Sequence, residues 1–166
     1  ESVNRQTGRR AVYLLDEHRE ELRIAYALGY PEEIVKHFTL KMGQGTVGTA
    51  VAEQRPVLLN DVGTDPRYLA VVPGAKSQLA VPLRHKGKAI GALNLLSDQT
   101  GAFTERDEWM LRQFGAHVAQ AIVTARLFES EREYSETMAT LAEVGREMSG
   151  ILDLDELLTR VAHLVK

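Results

Sequence analysis

Hydrophobic positions follow two rhythms along this chain. Before Phe103 they come in short runs separated by glycine, proline and charge; after it they recur with helical spacing and little interruption. Residues 11–16 form a short apolar run and residues 22–28 alternate, with the polar segment Glu17 to Glu21 reading as a hairpin turn between them. Pro31, Glu32, Glu33, Ile34 and Val35 fit a helical turn with proline at its first position. Phe38, Leu40 and Met42 alternate again and lead into a glycine cluster. Residues 46–53 predict a short helix that stops before Pro56, because the residue preceding a proline avoids helical backbone. Residues 57–59, 79–83 and 89–96 predict strands, the last two joined by a tight turn over His85 to Lys88. Residues 60–74 between them are irregular. Strands joined by hairpins and one short helical crossover specify an antiparallel sheet with segregated helices, an α+β domain.

From Phe103 to Leu152 the pattern predicts one helix, weakened only at Gly115 and Gly145 before a break at Ser149-Gly150. Such a helix is roughly 65–70 Å long, more than a compact domain buries, so it must leave its domain. Leu111, Phe114, Val118, Ala121, Ile122 and Ala125 make a broad stripe suited to packing on a sheet. Farther on, Leu127, Glu131, Tyr134, Met138, Leu141, Gly145, Met148 and Leu152 follow alternating four- and three-residue steps. That is a heptad seam with two defects, Glu131 and Gly145, and it predicts an adjustable parallel two-stranded coil. The alternative is an amphipathic helix packed on its own domain. After Gly150, Asp153 and Glu156 have capping-box spacing, and Leu154, Leu157, Leu158, Val161, Ala162 and Val165 form an apolar face. This helix reads as the opening of a further domain. It is expected to pack on apolar surface of its own long helix or of a partner chain.

Composition narrows the function classes. A length of 166 residues, 44% of them hydrophobic, allows one ordinary domain with a real core plus an appendage. Net charge is −3, which gives no general attraction to nucleic acid or to an anionic membrane. Residues 1–128 carry 16 basic and 14 acidic side chains, and residues 129–166 carry 4 and 9, so the negative charge belongs to the projecting helix. There is no cysteine. That excludes disulfides, thiolate metal sites, a cysteine nucleophile and a thioether-linked chromophore, and it fits a reducing, cytoplasmic setting. No apolar run approaches the ~18 residues of a membrane span. The opening Glu1-Ser-Val-Asn lacks an initiator methionine, as expected of a slice from a longer protein.

Several patterns invite a chemical reading. Gly43-Gln-Gly-Thr-Val-Gly48 matches the G-x-G-x-x-G fingerprint, which needs a strand before it and a full helix after it. The helix here spans only about two turns before Pro56. Asp65, at a plausible distance for a ribose partner, lies in a loop before Pro66. The glycines are therefore read as permitting a tight turn and close packing. His18, His37, His85, His117 and His163 have no metal-ligand spacing. Ser77 and Ser97 lie in no nucleophile elbow, and Lys86 and Lys88 read as a solvated turn. No acid, base and nucleophile can be assembled, so no catalytic residue and no metal ligand is expected.

The order of the pieces resembles the GAF domain, a small-molecule and sensory module of signalling proteins. The carrying segments are residues 10–16, 43–51, 56–61, 77–83, 90–95, 103–108 and 114–127. The resemblance covers about residues 8–128 and implies helices on one face of the sheet, with loops between the third and fourth strands covering a pocket on the other. It begins near Gly8, which leaves the helix that normally opens the domain largely missing. The implied organisation is a GAF domain over 1–128, a linker or coiled-coil helix over 129–150, and the start of a second, truncated GAF domain over 151–166, as in bacterial tandem-GAF proteins. The implied function is a non-catalytic regulatory module that binds a small ligand and signals through a dimeric helix to a downstream kinase, serine phosphatase or cyclase domain. A ligand-free structural spacer is the alternative. So is a cyclic-nucleotide-binding GAF, for which Asn94, Phe103, Asp107 and Glu108 match the signature but Leu95 replaces its lysine. Asn60, Asp61, Arg67, Tyr68 and Ser77 lie in or beside the covering loops and are the expected ligand-binding residues. The resemblance names no cofactor. It implies a homodimer and no contact with nucleic acid or membrane.

Overall fold

Six antiparallel strands form one sheet, in a computed structural model that describes residues 9–148. In chain order the elements are β1 (Arg9–Asp16), β2 (Glu21–Leu28), helix α1 (Glu32–His37), β3 (Thr39–Lys41), helix α2 (Gly45–Glu53) and β4 (Val57–Leu59). A single 3-10 turn at Val62–Thr64 follows, then β5 (Ser77–His85), β6 (Lys88–Ser97) and helix α3 (Glu105–Met148). The strand order is β3-β2-β1-β6-β5-β4. The α+β expectation therefore holds, as does the long helix. The Ser149-Gly150 break, the helix over 153–165 and the shortened start at Glu1 to Thr7 lie outside the described residues. No helix among the described residues is long and apolar enough to cross a membrane.

Period-two alternation sorts the strands' side chains into two apolar layers. Ala11, Tyr13, Leu15, Leu22, Ile24, Ala80 and Ala92 join Val47, Ala50 and Val51 of α2 on one face. Leu79, Val81 and Leu95 join Phe103 and Leu111 on the other. The middle strands β5 and β6 are buried on both faces, which is why they read as nearly continuous apolar runs. Burying side chains as large as Leu79, Leu83 or Tyr13 stabilises the fold by roughly 1.5–3 kcal/mol each.

The start of α3 explains the Phe-Thr-Glu-Arg-Asp-Glu segment. The Thr104 backbone N–H donates to the Asp107 carboxylate at 2.9 Å, and the Asp107 N–H donates to the Thr104 hydroxyl at 3.2 Å. That is a reciprocal capping box, with Phe103 buried just before it. The α3 stripe is rotated from its expected centre. Ala119 is fully buried, and a Cβ on Gly115 would sit 3.4 Å from Leu83 and 3.7 Å from Leu93, whereas Phe114 is 59% exposed. The helix approaches the sheet through its smallest residues, and Phe114 lies beside that contact line.

One close approach locks the sheet's centre. An added Cβ at Gly91 would lie 2.1 Å from the Tyr13 carbonyl oxygen on β1. The chain falls into two compact units, Glu1–Ala121 and Ile122–Lys166, with the boundary inside α3.

Candidate functional site

A small cavity opens between the α2 face of the sheet and the segment that joins β4 to β5. Tyr13 from β1, Gln78 from β5 and Asn94 from β6 line its sheet side. Tyr30, before α1, and Thr46, in the first turn of α2, close its flank. Tyr68, Leu69, Val71 and Val72 cover it. The covering segment lies between the fourth and fifth strands rather than the third and fourth, because the three-residue β3 adds one strand to the count.

Polar residues run through this cavity as one chain of hydrogen bonds. The Thr46 hydroxyl donates to Gln78 Oε1 at 2.6 Å, Gln78 Nε2 donates to Asn94 Oδ1 at 2.8 Å, and Asn94 Nδ2 donates to the Tyr30 hydroxyl oxygen at 3.0 Å. Tyr13 hydrogen-bonds Tyr30 as well. Thr46, Gln78 and Asn94 are each at least 97% buried, so the chain is held out of water. Among the described residues every buried side-chain nitrogen and oxygen has a partner. The Tyr30 hydroxyl oxygen accepts from Asn94, and as a neutral phenol Tyr30 keeps one proton to donate.

Burial pushes the Tyr13 phenol far above its ordinary range, with Tyr30 beside it adding to the effect. Burial also raises Tyr30, partly offset by the hydrogen bonds it receives from Asn94 and Tyr13. Tyr68 is raised by burial too, with the Arg9 guanidinium acting in the opposite sense. All three phenols are thus neutral near pH 7 and act as hydrogen-bond donors, not charges.

The cavity is narrow as it stands. Its open volume is about 20 Å³, which holds about one water. Arg9 donates a hydrogen bond to the Pro73 carbonyl and so straps the covering segment to the first strand. Leu69, 40% exposed, and the half-buried Tyr68 form its outer wall.

Of the five expected ligand-binding residues, Tyr68 lines this cavity. Asp61 faces solvent, where its carboxylate accepts from the Gly63 N–H at 2.9 Å and caps the 3-10 turn. Asn60 is exposed, and its carbonyl accepts from the Gly101 N–H at 2.8 Å. Arg67 is exposed and closes on Asp65 through a 2.6 Å ion pair. Ser77 is fully buried but donates to the Gln99 carbonyl at 2.6 Å, away from the cavity. Tyr13, Tyr30, Thr46 and Gln78 were not anticipated as site residues. The available signal was a glutamine and an asparagine on the inward face of two otherwise apolar strands. Asn94, noted only as part of a nucleotide signature, proves to be the link between Gln78 and Tyr30.

The glycine motif follows its packing explanation. A Cβ on Gly48 would sit 2.6 Å from the Lys41 carbonyl oxygen, and the Gly43 N–H donates to the Gly48 carbonyl at 2.9 Å. The motif folds on itself between β3 and α2.

A family model of the GAF domain matches residues 3–123. Among curated proteins, the free methionine-R-sulfoxide reductase of Escherichia coli (strain K12) is 33% identical over 85 residues, which is 51% of this chain and 52% of that protein. The chain spans about half the length of the curated relatives it matches. The solved free methionine-R-sulfoxide reductase from Neisseria meningitidis, in complex with its substrate, aligns with a TM-score of 0.67 at 26% identity, over 73% of this chain and 70% of that one. The GAF domain of the Acinetobacter phosphoenolpyruvate-protein phosphotransferase aligns with a TM-score of 0.68 at 25% identity, over 75% of each chain. The reductase relatives overturn the expectation of a non-catalytic module, in its sensory, spacer and cyclic-nucleotide forms alike, and with it the expectation that the chain is not an enzyme. The sequence search looked for a nucleophile with its base or a metal set. A pocket on this fold instead gathers neutral donors from strands far apart in the chain, and no short spacing reveals it.

Proposed function

This chain belongs to the GAF domain family, and from that premise we propose that its inner cavity is a substrate site for a polar metabolite of free-amino-acid size, with methionine sulfoxide as the first candidate. The observation that carries this reading is the buried Thr46–Gln78–Asn94–Tyr30 chain, which ends on a phenol that lines the cavity. A sulfoxide oxygen is a strong hydrogen-bond acceptor, and the neutral Tyr30 is a donor suited to it. The reductase relatives supply the ligand class.

Reduction of a sulfoxide consumes two electrons and two protons and releases the sulfide and water. These 166 residues hold no cysteine, so the electrons come from a thiol reductant outside them. The role of the chain is to open at the Tyr68 segment, seat the sulfoxide and donate a hydrogen bond to its oxygen.

Calorimetric titration with the R and S isomers of methionine sulfoxide, run beside an assay of sulfide formation with dithiothreitol, tests the reading. The R isomer is expected to bind. Tyr30→Phe should weaken it about tenfold, the worth of one hydrogen bond of ~1.4 kcal/mol. No binding at millimolar concentration refutes the site. Binding without sulfide formation keeps the ligand class and removes the reductive step.

The same proposal includes a homodimer through α3, supported by Leu127, Phe128 and Tyr134, which are 62%, 69% and 62% exposed in the single chain. Leu127→Lys should shift the mass seen by light scattering from dimer to monomer; a monomeric parent protein refutes the dimer. That residues 151–166 open a second GAF domain, within a tandem parent protein, is proposed on their sequence pattern alone.

A further inference from the structure

A second cavity lies at the hairpin end of β5 and β6, remote from the Tyr30 site. We propose that it binds a small phosphate-bearing polyanion, through Arg84, Lys86 and Arg112. The three cations come from three different elements, the end of β5, the hairpin turn and α3, and they line one recess of about 250 Å³. Gln54 and Gln113 add amide donors, and no carboxylate is among its lining residues.

Among the described residues no carboxylate lies within ion-pair distance of this cluster. Among the described residues, Arg19, Arg23, Lys36, Arg55, Arg67 and Arg132 each pair with a carboxylate. Arg84, Lys86 and Arg112 pair with none. Residues 1–128 carry 16 basic and 14 acidic side chains, so three cations lining one recess are a local concentration in a nearly balanced domain. Their mutual repulsion is relieved when an anion enters.

The hairpin backbone is irregular beside the recess. The β5–β6 register slips between Leu83 and Arg84, where Ile90 of β6 is the extra residue, and such a bulge bends and twists the hairpin end that carries Arg84 and Lys86. Lys86 sits at φ 49 and Gly87 at φ 78, a turn in which Asn or Asp normally takes the first position. A lysine there is conformationally unfavourable, and it lines the recess. Two guanidiniums and an ammonium lining one recess suit the oxygens of a phosphate or diphosphate, which arginine grips with paired bonds. Free polyphosphate and the phosphate tail of a nucleotide share this chemistry.

Titration with pyrophosphate, with ADP and with orthophosphate at low ionic strength, read by calorimetry and by phosphorus NMR line width, tests the site. Pyrophosphate is expected to bind the intact chain. The double variant R84Q/R112Q should weaken it about a hundredfold, through loss of two charge-assisted contacts. Lys88→Gln, next to the recess but not lining it, should leave affinity unchanged. Tighter binding of ADP than of pyrophosphate identifies a nucleotide site, and the reverse order a polyphosphate site. Absence of pyrophosphate binding in the parent protein overturns the proposal. So does an equal loss in Lys88→Gln, which would mean diffuse charge. Should R84Q/R112Q fail to fold by circular dichroism, R84Q/K86Q tests the same contacts while leaving α3 intact. Because Tyr30→Phe alters a group lining the inner cavity and none lining this recess, retained pyrophosphate binding in that variant separates this site from the Tyr30 site.

Discussion

Replacing Gln78 by leucine keeps the side chain's size and deletes the middle of the buried polar chain. Two groups then lose partners: the Thr46 hydroxyl its acceptor at 2.6 Å, and Asn94 Oδ1 its donor at 2.8 Å. Both residues are 3% exposed, so bulk solvent does not replace what is lost. Each buried orphan costs about 1–3 kcal/mol, which gives roughly 2–6 kcal/mol for the pair. The Thr46 hydroxyl can rotate toward a backbone carbonyl of its own helix, which places the expectation near the lower half, about 2–4 kcal/mol. The second arm of the test is the double variant Thr46→Val with Gln78→Leu. It removes one of the two orphans, so it should be more stable than Gln78→Leu alone by about 1 kcal/mol. Urea unfolding of the four proteins, monitored by circular dichroism, closes the cycle. Equal midpoints for parent and Gln78→Leu would refute the claim that this chain of bonds is sealed from solvent. Strictly additive losses in the double variant would refute the direct Thr46–Gln78 bond.

The raised phenols predict alkaline sensitivity. The folded state keeps the protons of Tyr13, Tyr30 and Tyr68 to higher pH than the unfolded chain does. Their contribution is therefore complete below about pH 10 and is lost as pH rises beyond it, by up to ~1.4 kcal/mol per unit for each phenol. Unfolding midpoints measured from about pH 8 to about pH 11 should fall more steeply in the parent than in Tyr13→Phe, and parallel curves would count against this. Gly91→Ala drives a methyl to 2.1 Å from the Tyr13 carbonyl and should cost more than about 3 kcal/mol, read as a collapsed thermal midpoint. Arg9→Ala removes the strap to Pro73 and should speed hydrogen exchange over residues 66–73 with little change in global stability; unchanged exchange would show that the strap does not hold the cover.

Local chemistry made the elements legible. A two-residue turn, a proline stop and strict alternation are written within a few residues of where they act. Predicted strands at 22–28 and 57–59 therefore match Glu21–Leu28 and Val57–Leu59 closely, and the helix expected over 46–53 is Gly45–Glu53. The site was not legible in that way. Its bonds join Thr46 to Gln78, Gln78 to Asn94, and Asn94 to Tyr30, across 32, 16 and 64 positions. Only the sheet order brings them together. Polar loop residues drew attention instead, and Asp61 and Arg67 are engaged in local turns and pairs that their immediate neighbours dictate. Phe114 misled for a related reason: helical periodicity identified the side of α3, but the smallness of Gly115 and Ala119 set the line of contact.

The placement of β1 beside β6 has a consequence for how this domain is made. Ala11 pairs with Asn94 and Val12 with Leu93, so the middle of the sheet joins its first strand to its last. On a ribosome the β1–β2 hairpin emerges early, yet one long edge of β1 stays open until roughly 80 more residues have been added, several seconds at ordinary synthesis rates. Closing so large a loop is slow, and an exposed strand edge recruits other strands in the meantime. Arg9 and Arg10 at the start of that edge, with Asp16 at its end, place charge at both ends of the vulnerable stretch while the nascent chain waits for its partner.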